Sequence, residues 1–216
     1  MVTLSVARKF CRGGDFSEKS RAVMRMFGLT ADRLREGGMR HECTVSVEAG
    51  DIVYITGPSG AGKSVLLREF ETAVPASERI DLGKIELAQG RSVVDCIEGD
   101  LVRSLGVLSI AGLNDVWCVL NEPALLSEGQ QWRFRLAMAL AAGKKYVFAD
   151  EFCSSLDRIS AAVISYNIRK FANRHGVTFF LASCQDDVLV DLAADVLVVK
   201  ELSGGAEVVY KRRGRH

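Results

Sequence analysis

Short apolar runs recur along the chain and are separated by longer stretches that mix polar and apolar residues. Residues 43–47 alternate between apolar and polar positions, whereas residues 52–55 and 179–182 are continuously apolar. Alternation predicts a half-buried strand, and a short continuous run predicts a strand buried on both faces. With the weaker patterns included, strands are predicted at 43–47, 52–55, 80–81, 146–150, 178–182, 195–200 and 206–210.

The stretches between these runs carry helical signals. Gly37 and Gly38 interrupt the first of them, and Pro75 closes the second. Strands that alternate with helices favour an α/β fold whose mostly parallel sheet is covered on both faces. Besides a short helix before the last two strands, helices are predicted at 16–29, 64–73, 93–105, 108–119, from 127 onward, and at 157–174.

Composition narrows the class of protein. The 216 residues are 48% hydrophobic, which suits one large core and predicts a single domain. The net charge of +1 argues against a global basic field for nucleic acid, and the basic tail at 211–216 is typical of a solvated end. Six cysteines without a C-x-x-C pair predict reduced thiols. No apolar stretch approaches the about 20 residues that span a bilayer, and the first residues lack a signal-peptide core. We therefore expect a cytoplasmic protein without direct membrane insertion.

A glycine-rich segment carries the first chemical motif. Residues 57–64 fit G-x-x-x-x-G-K-[ST], follow an apolar strand and precede a helix, which is the context that a phosphate-binding loop requires. Its backbone N–H groups can surround a β-phosphate, Lys63 can reach the β and γ oxygens, and the Ser64 hydroxyl can bind Mg²⁺. The predicted loop residues are Gly57, Pro58, Ser59, Gly60, Ala61, Gly62, Lys63 and Ser64.

Two acids follow the strand YVFA. An acid at the carboxyl end of a parallel strand faces the crevice where α/β sheets bind ligands, so Asp150 is predicted to hold Mg²⁺ through water. Glu151 is then placed to activate the attacking water as a general base. Helix capping is the alternative role for such a pair.

The stretch LSEGQ at 126–130 has two explanations. Ser127 and Gln130 have the spacing of a capping box at a helix start. A helix start also presents free N–H groups that bind an anion, so the same stretch suits a phosphate.

Taken in order, four motifs resemble the ATP-binding-cassette (ABC) ATPases over roughly residues 42–209. They are the glycine loop, LSEGQ, the strand that ends in Asp150-Glu151, and the sequence Ser154-Ser155-Leu156-Asp157. The resemblance implies a P-loop NTPase fold of the ABC type, with a mostly parallel sheet, an antiparallel β edge and a short helical subdomain. It implies one domain over 1–216, with an N-terminal extension at 1–41 and a reduced helical subdomain at 90–125.

The resemblance also implies ATP and Mg²⁺ as ligands, hydrolysis of ATP, and a head-to-tail homodimer formed on ATP binding. In that family LSEGQ completes the ATP site of the other subunit, which involves Ser127, Gly129 and Gln130. Asp157 corresponds to an aspartate that passes between the two sites.

Three further positions are matched to the family with open alternatives. Gln89 corresponds to a glutamine that reaches the metal and nucleotide, or it is an exposed loop residue. Phe27 corresponds to an adenine-stacking aromatic residue, or it is an ordinary core residue. Gln185 stands where the family usually has a histidine; it can donate to a γ-phosphate oxygen but carries no proton, which bears on the hydrolysis rate.

The short stretch between Gln89 and Leu126 favours a non-transport cytoplasmic branch, which resembles ABC ATPases fused to acetyltransferase-like domains. On this reading the protein is an ATP-driven dimerising switch with an unknown protein or nucleic-acid partner. The alternatives are a nucleotide-binding subunit of a transporter and an ATP-gated interaction module with little hydrolysis.

Overall fold

A six-stranded sheet forms the centre of the fold. The computed structural model describes residues 1–9, 15–36, 40–202 and 204–211. In this part of the chain the spatial strand order is β4-β5-β6-β3-β7-β8, with β8 antiparallel to β7 and the other pairs parallel. The strands are β3 (Ile52–Thr56), β4 (Arg79–Asp81), β5 (Tyr146–Ala149), β6 (Thr178–Ala182), β7 (Val196–Lys200) and β8 (Ala206–Tyr210). The predicted α/β fold with a mostly parallel sheet and an antiparallel edge is confirmed.

The central strands are buried on both faces because each face has its own core. Every residue of β3 and β6 is buried, as the continuous apolar runs predict. Ile52 and Tyr54 pack into one cluster, and Val53 and Ile55 into another on the opposite face. This division follows from the period-two alternation of side chains along a strand.

Helices cover both faces. The helix α3 packs with β3 in one core, and α6 and α7 pack in the other. The helices are α1 (Glu18–Met26), α2 (Ala31–Glu36), α3 (Lys63–Ala73), α4 (Leu101–Ile110), α5 (Val116–Leu120), α6 (Glu128–Ala141), α7 (Arg158–His175) and α8 (Leu189–Leu192). Short 3-10 helices lie at Ala76–Glu78, Leu82–Lys84, Val94–Cys96 and Pro123–Leu125. In the described part of the chain, no helix combines the length and apolar character that crossing a membrane requires.

A separate two-stranded antiparallel sheet contains a strand that the sequence pattern did not reveal. It consists of β1 (Val2–Lys9) and β2 (Arg40–Val47). Leu4 and Val6 of β1 are buried in the same core as α3, so the first residues of the predicted extension at 1–41 are part of the fold. The excursion between the two strands carries α1, as predicted, and α2, which was not predicted. The predicted break at 37–38 and the tail from 212 onward lie outside the described residues.

The predicted helices at 93–105 and 108–119 were placed wrongly. A single helix α4 crosses the boundary between them, and α5 begins only at Val116. Gly99 has a φ of +124°, which stops any helix before it, and Asp100 then caps α4 by accepting from Arg103 N–H. Asp115 caps α5 in the same way. These glycine and aspartate signals outweigh the apolar periodicity in this region.

Candidate nucleotide site

One cleft lies at the carboxyl ends of β3, β5 and β6. Its volume is about 450 Å³. Parallel strands present their carboxyl ends at one edge of a sheet, and the loops after them therefore meet. The cleft is lined by Ser59, Gly60, Gly62, Lys63, Ser64, Val65, Asp150, Glu151, Ser154, Ala182, Ser183, Cys184 and Gln185.

The loop between β3 and α3 requires glycine at two positions. A Cβ on Gly57 would lie 2.2 Å from the Lys200 carbonyl oxygen, and one on Gly62 would lie 2.2 Å from Cε1 of His41. Both glycines also have positive φ, +136° and +89°. Gly62 precedes α3 and makes no side-chain cap, so this helix start has N–H groups of the kind that bind an anion.

The imidazole of His41 lies under this loop. Burial, and to a lesser extent the charge of Lys200, lower the pKa of His41. The ring is therefore neutral at pH 7, and it supports the loop by contact with Gly62 rather than by charge.

The Lys63 side chain is folded back onto its own loop. Its Nζ donates to the carbonyl oxygens of Gly57 (2.8 Å) and Pro58 (3.0 Å) and to Sγ of Cys184 (2.9 Å). All three acceptors are uncharged or weak, and the residue is 9% exposed. An anion in the cleft would compete well for this ammonium group, because charge-assisted hydrogen bonds are about twice as strong as neutral ones.

The segment after β5 that carries the two acids has unusual backbone angles. Glu151 has a φ of +50° and Cys153 a φ of +59°, conformations that cost about 1–3 kcal/mol each in residues other than glycine. Between them, Phe152 is fully buried, and its N–H donates to Ala182 O at 2.8 Å. This anchor leaves Glu151 exposed in the cleft, next to the half-buried Asp150.

The segment after β6 lines the cleft beside the glycine loop. Gln185 lines the cleft, and its carbonyl accepts from the hydroxyl of Tyr54. Burial raises the pKa of Tyr54, so the hydroxyl remains a donor. Thr56 also donates to Asp186 at 2.6 Å, which ties this segment to β3. The sequence analysis missed Cys184, although its place directly before Gln185 at the end of an apolar strand was a usable signal.

The LSEGQ stretch forms the start of α6, outside this cleft. Ser127 and Gln130 make the complete capping box: Ser127 N–H donates to Gln130 Oε1 at 3.0 Å, and Gln130 N–H donates to Ser127 Oγ at 3.4 Å. A Cβ on Gly129 would lie 3.1 Å from the Ser155 carbonyl oxygen, so α6 packs closely on the segment that leads to Asp157. Ser127 and Asp157 are both exposed.

Two predicted positions lie apart from the residues that line the cleft. Gln89 is exposed in the loop between Lys84 and Val94, and Phe27 ends α1 with 73% of its surface exposed. Phe27 is therefore not a core residue. The proposed contacts of Gln89 and Phe27 with a nucleotide stay predictions.

The sequence was compared with models of known protein families. A family model described as "ABC transporter" matches residues 41–109, which include the glycine loop. This part of the chain is similar to the ABC transporter family. ABC ATPases bind ATP with Mg²⁺ and hydrolyse it, and the residues of the cleft suit these ligands. A glycine loop with a lysine fits the phosphates, and a hydroxyl and carboxylates are hard oxygen ligands of the kind that Mg²⁺ prefers.

Several proteins that are similar to this chain are named as import proteins. Methionine import ATP-binding protein MetN of Nocardia farcinica is 29% identical over 203 residues, which cover 77% of this chain and 60% of MetN. Aliphatic sulfonates import ATP-binding protein SsuB 2 of Pseudomonas syringae pv. tomato is 28% identical, and the match covers 76% of this chain and 77% of SsuB 2. Phosphonates import ATP-binding protein PhnC of Thiobacillus denitrificans is also 28% identical, and the match covers 78% of this chain and 85% of PhnC. The chain thus spans only part of the length of the MetN relative.

Solved structures of ATP-binding cassettes share the fold of this chain. The ATP-binding cassette MJ0796, in a dimeric post-hydrolysis state bound to ADP and Pi, superposes with a TM-score of 0.64 at 19% identity, covering 82% of this chain and 93% of that one. The ADP conformation of the cassette MJ1267 gives 0.63 at 17% identity, with coverage of 81% and 87%. Identities this low concern the fold alone.

Proposed function

We propose that this chain is the nucleotide-binding subunit of an import transporter, hydrolysing Mg-ATP as one half of a head-to-tail homodimer. The main support for the dimer is that the motifs lie at two separate places on one chain. Lys63, Ser64, Asp150 and Glu151 line one cleft, whereas Ser127 lies exposed at the start of another helix.

The roles within the cleft follow from the chemistry of each group. The backbone of residues 57–64 and the Lys63 ammonium bind the phosphates, and Ser64 and Asp150 hold the metal. Glu151, exposed and close to Asp150, orients and deprotonates the attacking water. The amide of Gln185 donates to a γ-phosphate oxygen but transfers no proton, so Glu151 carries the acid-base chemistry alone.

The second subunit supplies a further phosphate-binding group on the open side of this cleft. The start of α6, with Ser127 and Gly129, is a helix amino terminus and attracts a phosphate. Its capping box is already satisfied within one subunit. The N–H groups of Glu128 and Gly129, which lie between the two capping residues, remain available for a phosphate. Capping and anion binding are therefore compatible functions of LSEGQ.

A transporter role, which the sequence analysis gave as an alternative, has the better support, and the relatives make import its direction. The matched relatives are named as import ATP-binding proteins, and none of those described above supports the non-transport branch that we first favoured. Apolar residues are also exposed on the short region between the cleft motifs: Leu101, Val102, Leu105, Val116, Trp117, Leu120 and Leu125. An exposed apolar surface of this kind marks a protein contact.

The proposal is tested by trapping the closed dimer. The Glu151→Gln protein, held in ATP with detergent-solubilised membranes, is expected to retain a polytopic membrane protein. The matched control carries Lys63→Ala as well, which prevents ATP binding and should lose that partner. Replacing Trp117 by Ser in the trapped protein should release the membrane partner while the dimer persists. Retention of a non-membrane partner alone would support the dimerising switch instead.

A further inference from the structure

A second cleft, here called the basic cleft, lies at the opposite edge of the sheet from the nucleotide site. It sits beside Lys145 and Val177, which lead into β5 and β6 at their amino-terminal ends. Its walls come from α4, the end of α6 and the end of α7, and its volume is about 480 Å³. This size is typical of small-molecule sites, which measure about 300–1,000 Å³. The nucleotide cleft and the basic cleft share no lining residue.

The wall of the basic cleft is apolar. Val107 of α4, Leu140 of α6 and Val177, which directly precedes β6, are each less than 10% exposed. The ring of Phe171 is held between His175, with ring centroids 4.3 Å apart, and Phe179 in the core. A fixed aromatic ring beside aliphatic side chains suits a planar apolar group.

The rim of the basic cleft is cationic. Arg103, Lys144, Lys145 and Arg174 line it together with His175, and no acidic residue is among the described residues that do so. Lys145 is neutralised by Glu78 at 2.6 Å. Arg103 and Lys144 donate only to backbone carbonyls, those of Ala141 (3.1 Å) and Ser77 (2.9 Å). Within the part of the chain that the structure describes, Arg103, Lys144 and Arg174 therefore have no carboxylate partner.

Helix electrostatics account for only part of this arrangement. Arg174 and His175 lie in the last turn of α7, where cations complement the helix dipole. That explanation leaves Arg103, which lies early in α4, and the concave apolar wall unaccounted for.

We propose that the basic cleft binds a small organic anion, with a planar apolar body against Phe171 and a carboxylate, sulfonate or phosphate group at Arg103 and Arg174. Such a ligand would contact both α4, in the short region at 90–125, and α7, in the sheet-covering layer. The site is independent of the proposed transport function.

The test uses anilinonaphthalene sulfonate, whose fluorescence rises when its rings leave water, and its uncharged counterpart N-phenylnaphthylamine. The wild-type chain should bind the sulfonate saturably and more tightly than the uncharged compound. The double variant Arg103→Gln, Arg174→Gln should bind it about tenfold more weakly, because two partly exposed ion pairs are lost. The matched control for Arg174 is Arg158→Gln, which removes one positive charge from the opposite end of α7 and should bind like the wild type.

Folding of the double variant is checked by its affinity for ATP, which should be unchanged because the two clefts share no residue. Three results would overturn the proposal: unchanged sulfonate affinity in the folded double variant, equal affinity for the uncharged compound, or equal weakening in Arg158→Gln. Absence of saturable binding to the wild-type chain would overturn it as well.

Discussion

Replacing Lys63 by Ala tests the balance of interactions around the glycine loop. In the structure the ammonium group makes three hydrogen bonds, to Gly57 O, Pro58 O and Cys184 Sγ. When ATP binds, we expect two of them to be replaced by charge-assisted bonds to phosphate. Two such bonds contribute about 3–6 kcal/mol, and the two neutral bonds given up cost about 1–3 kcal/mol, at the usual net values per bond. The net loss on mutation is therefore about 2–3 kcal/mol, or about 30- to 150-fold in Kd.

The assay is a titration with a trinitrophenyl derivative of ATP, followed by fluorescence. The fold should survive, because Lys63 belongs to neither apolar core cluster and its side chain lines the cleft. Cys184→Ala is the control: it removes one weak contact of the same lysine and no phosphate contact, so its Kd should stay within about fivefold of the wild type. A Kd for Lys63→Ala within that same range would refute the reasoning and the assignment of the loop.

Four further outcomes are expected. Glu151→Gln should hold a dimer in Mg-ATP, since water activation is lost while metal ligands remain; light scattering that shows only monomers at saturating ATP would contradict the head-to-tail dimer. Ser127→Arg should stop dimerisation and hydrolysis but keep ATP binding by the monomer, because the charge opposes the helix dipole; hydrolysis at the wild-type rate would leave LSEGQ as a helix cap alone. Maleimide should label Cys184, the exposed thiol beside the Lys63 ammonium, and ATP should protect it in the wild type but not in Lys63→Ala, as read by mass spectrometry. The pKa of His41 is lower in the folded chain than its unfolded value of 6.5, so on acidification the unfolded chain binds a proton that the folded chain does not. Lowering the pH from 7 to 5.5 should therefore reduce the free energy of unfolding more in the wild type than in His41→Asn. An equal reduction in both proteins, measured by urea titration, would reject the burial argument.

The nucleotide cleft was largely predictable because its signals are local. The glycines of residues 57–64, the buried strand before them and the acids after β5 are each read from a few contiguous residues. Parallel strands end at one edge of a sheet, so the sequence predicted Asp150 in the crevice there, and it lines the same cleft as Lys63. The capping box at Ser127 and Gln130 is local in the same sense and was confirmed.

What the tertiary structure alone decided depends on contacts between distant segments. The strand at 2–9 was missed because its burial comes from pairing with β2 and packing near α3, which no pattern inside the strand reports. The contact of Lys63 with Cys184 joins residues 121 positions apart, and the need for glycine at position 62 comes from the ring of His41. The basic cleft likewise exists only because β5 and β6 are neighbours, which brings the ends of α6 and α7 together beside α4. Short-range rules determined which elements form and where the phosphate chemistry lies, whereas the order of the strands in the sheet decided which side chains meet, because that order is set by packing over the whole chain.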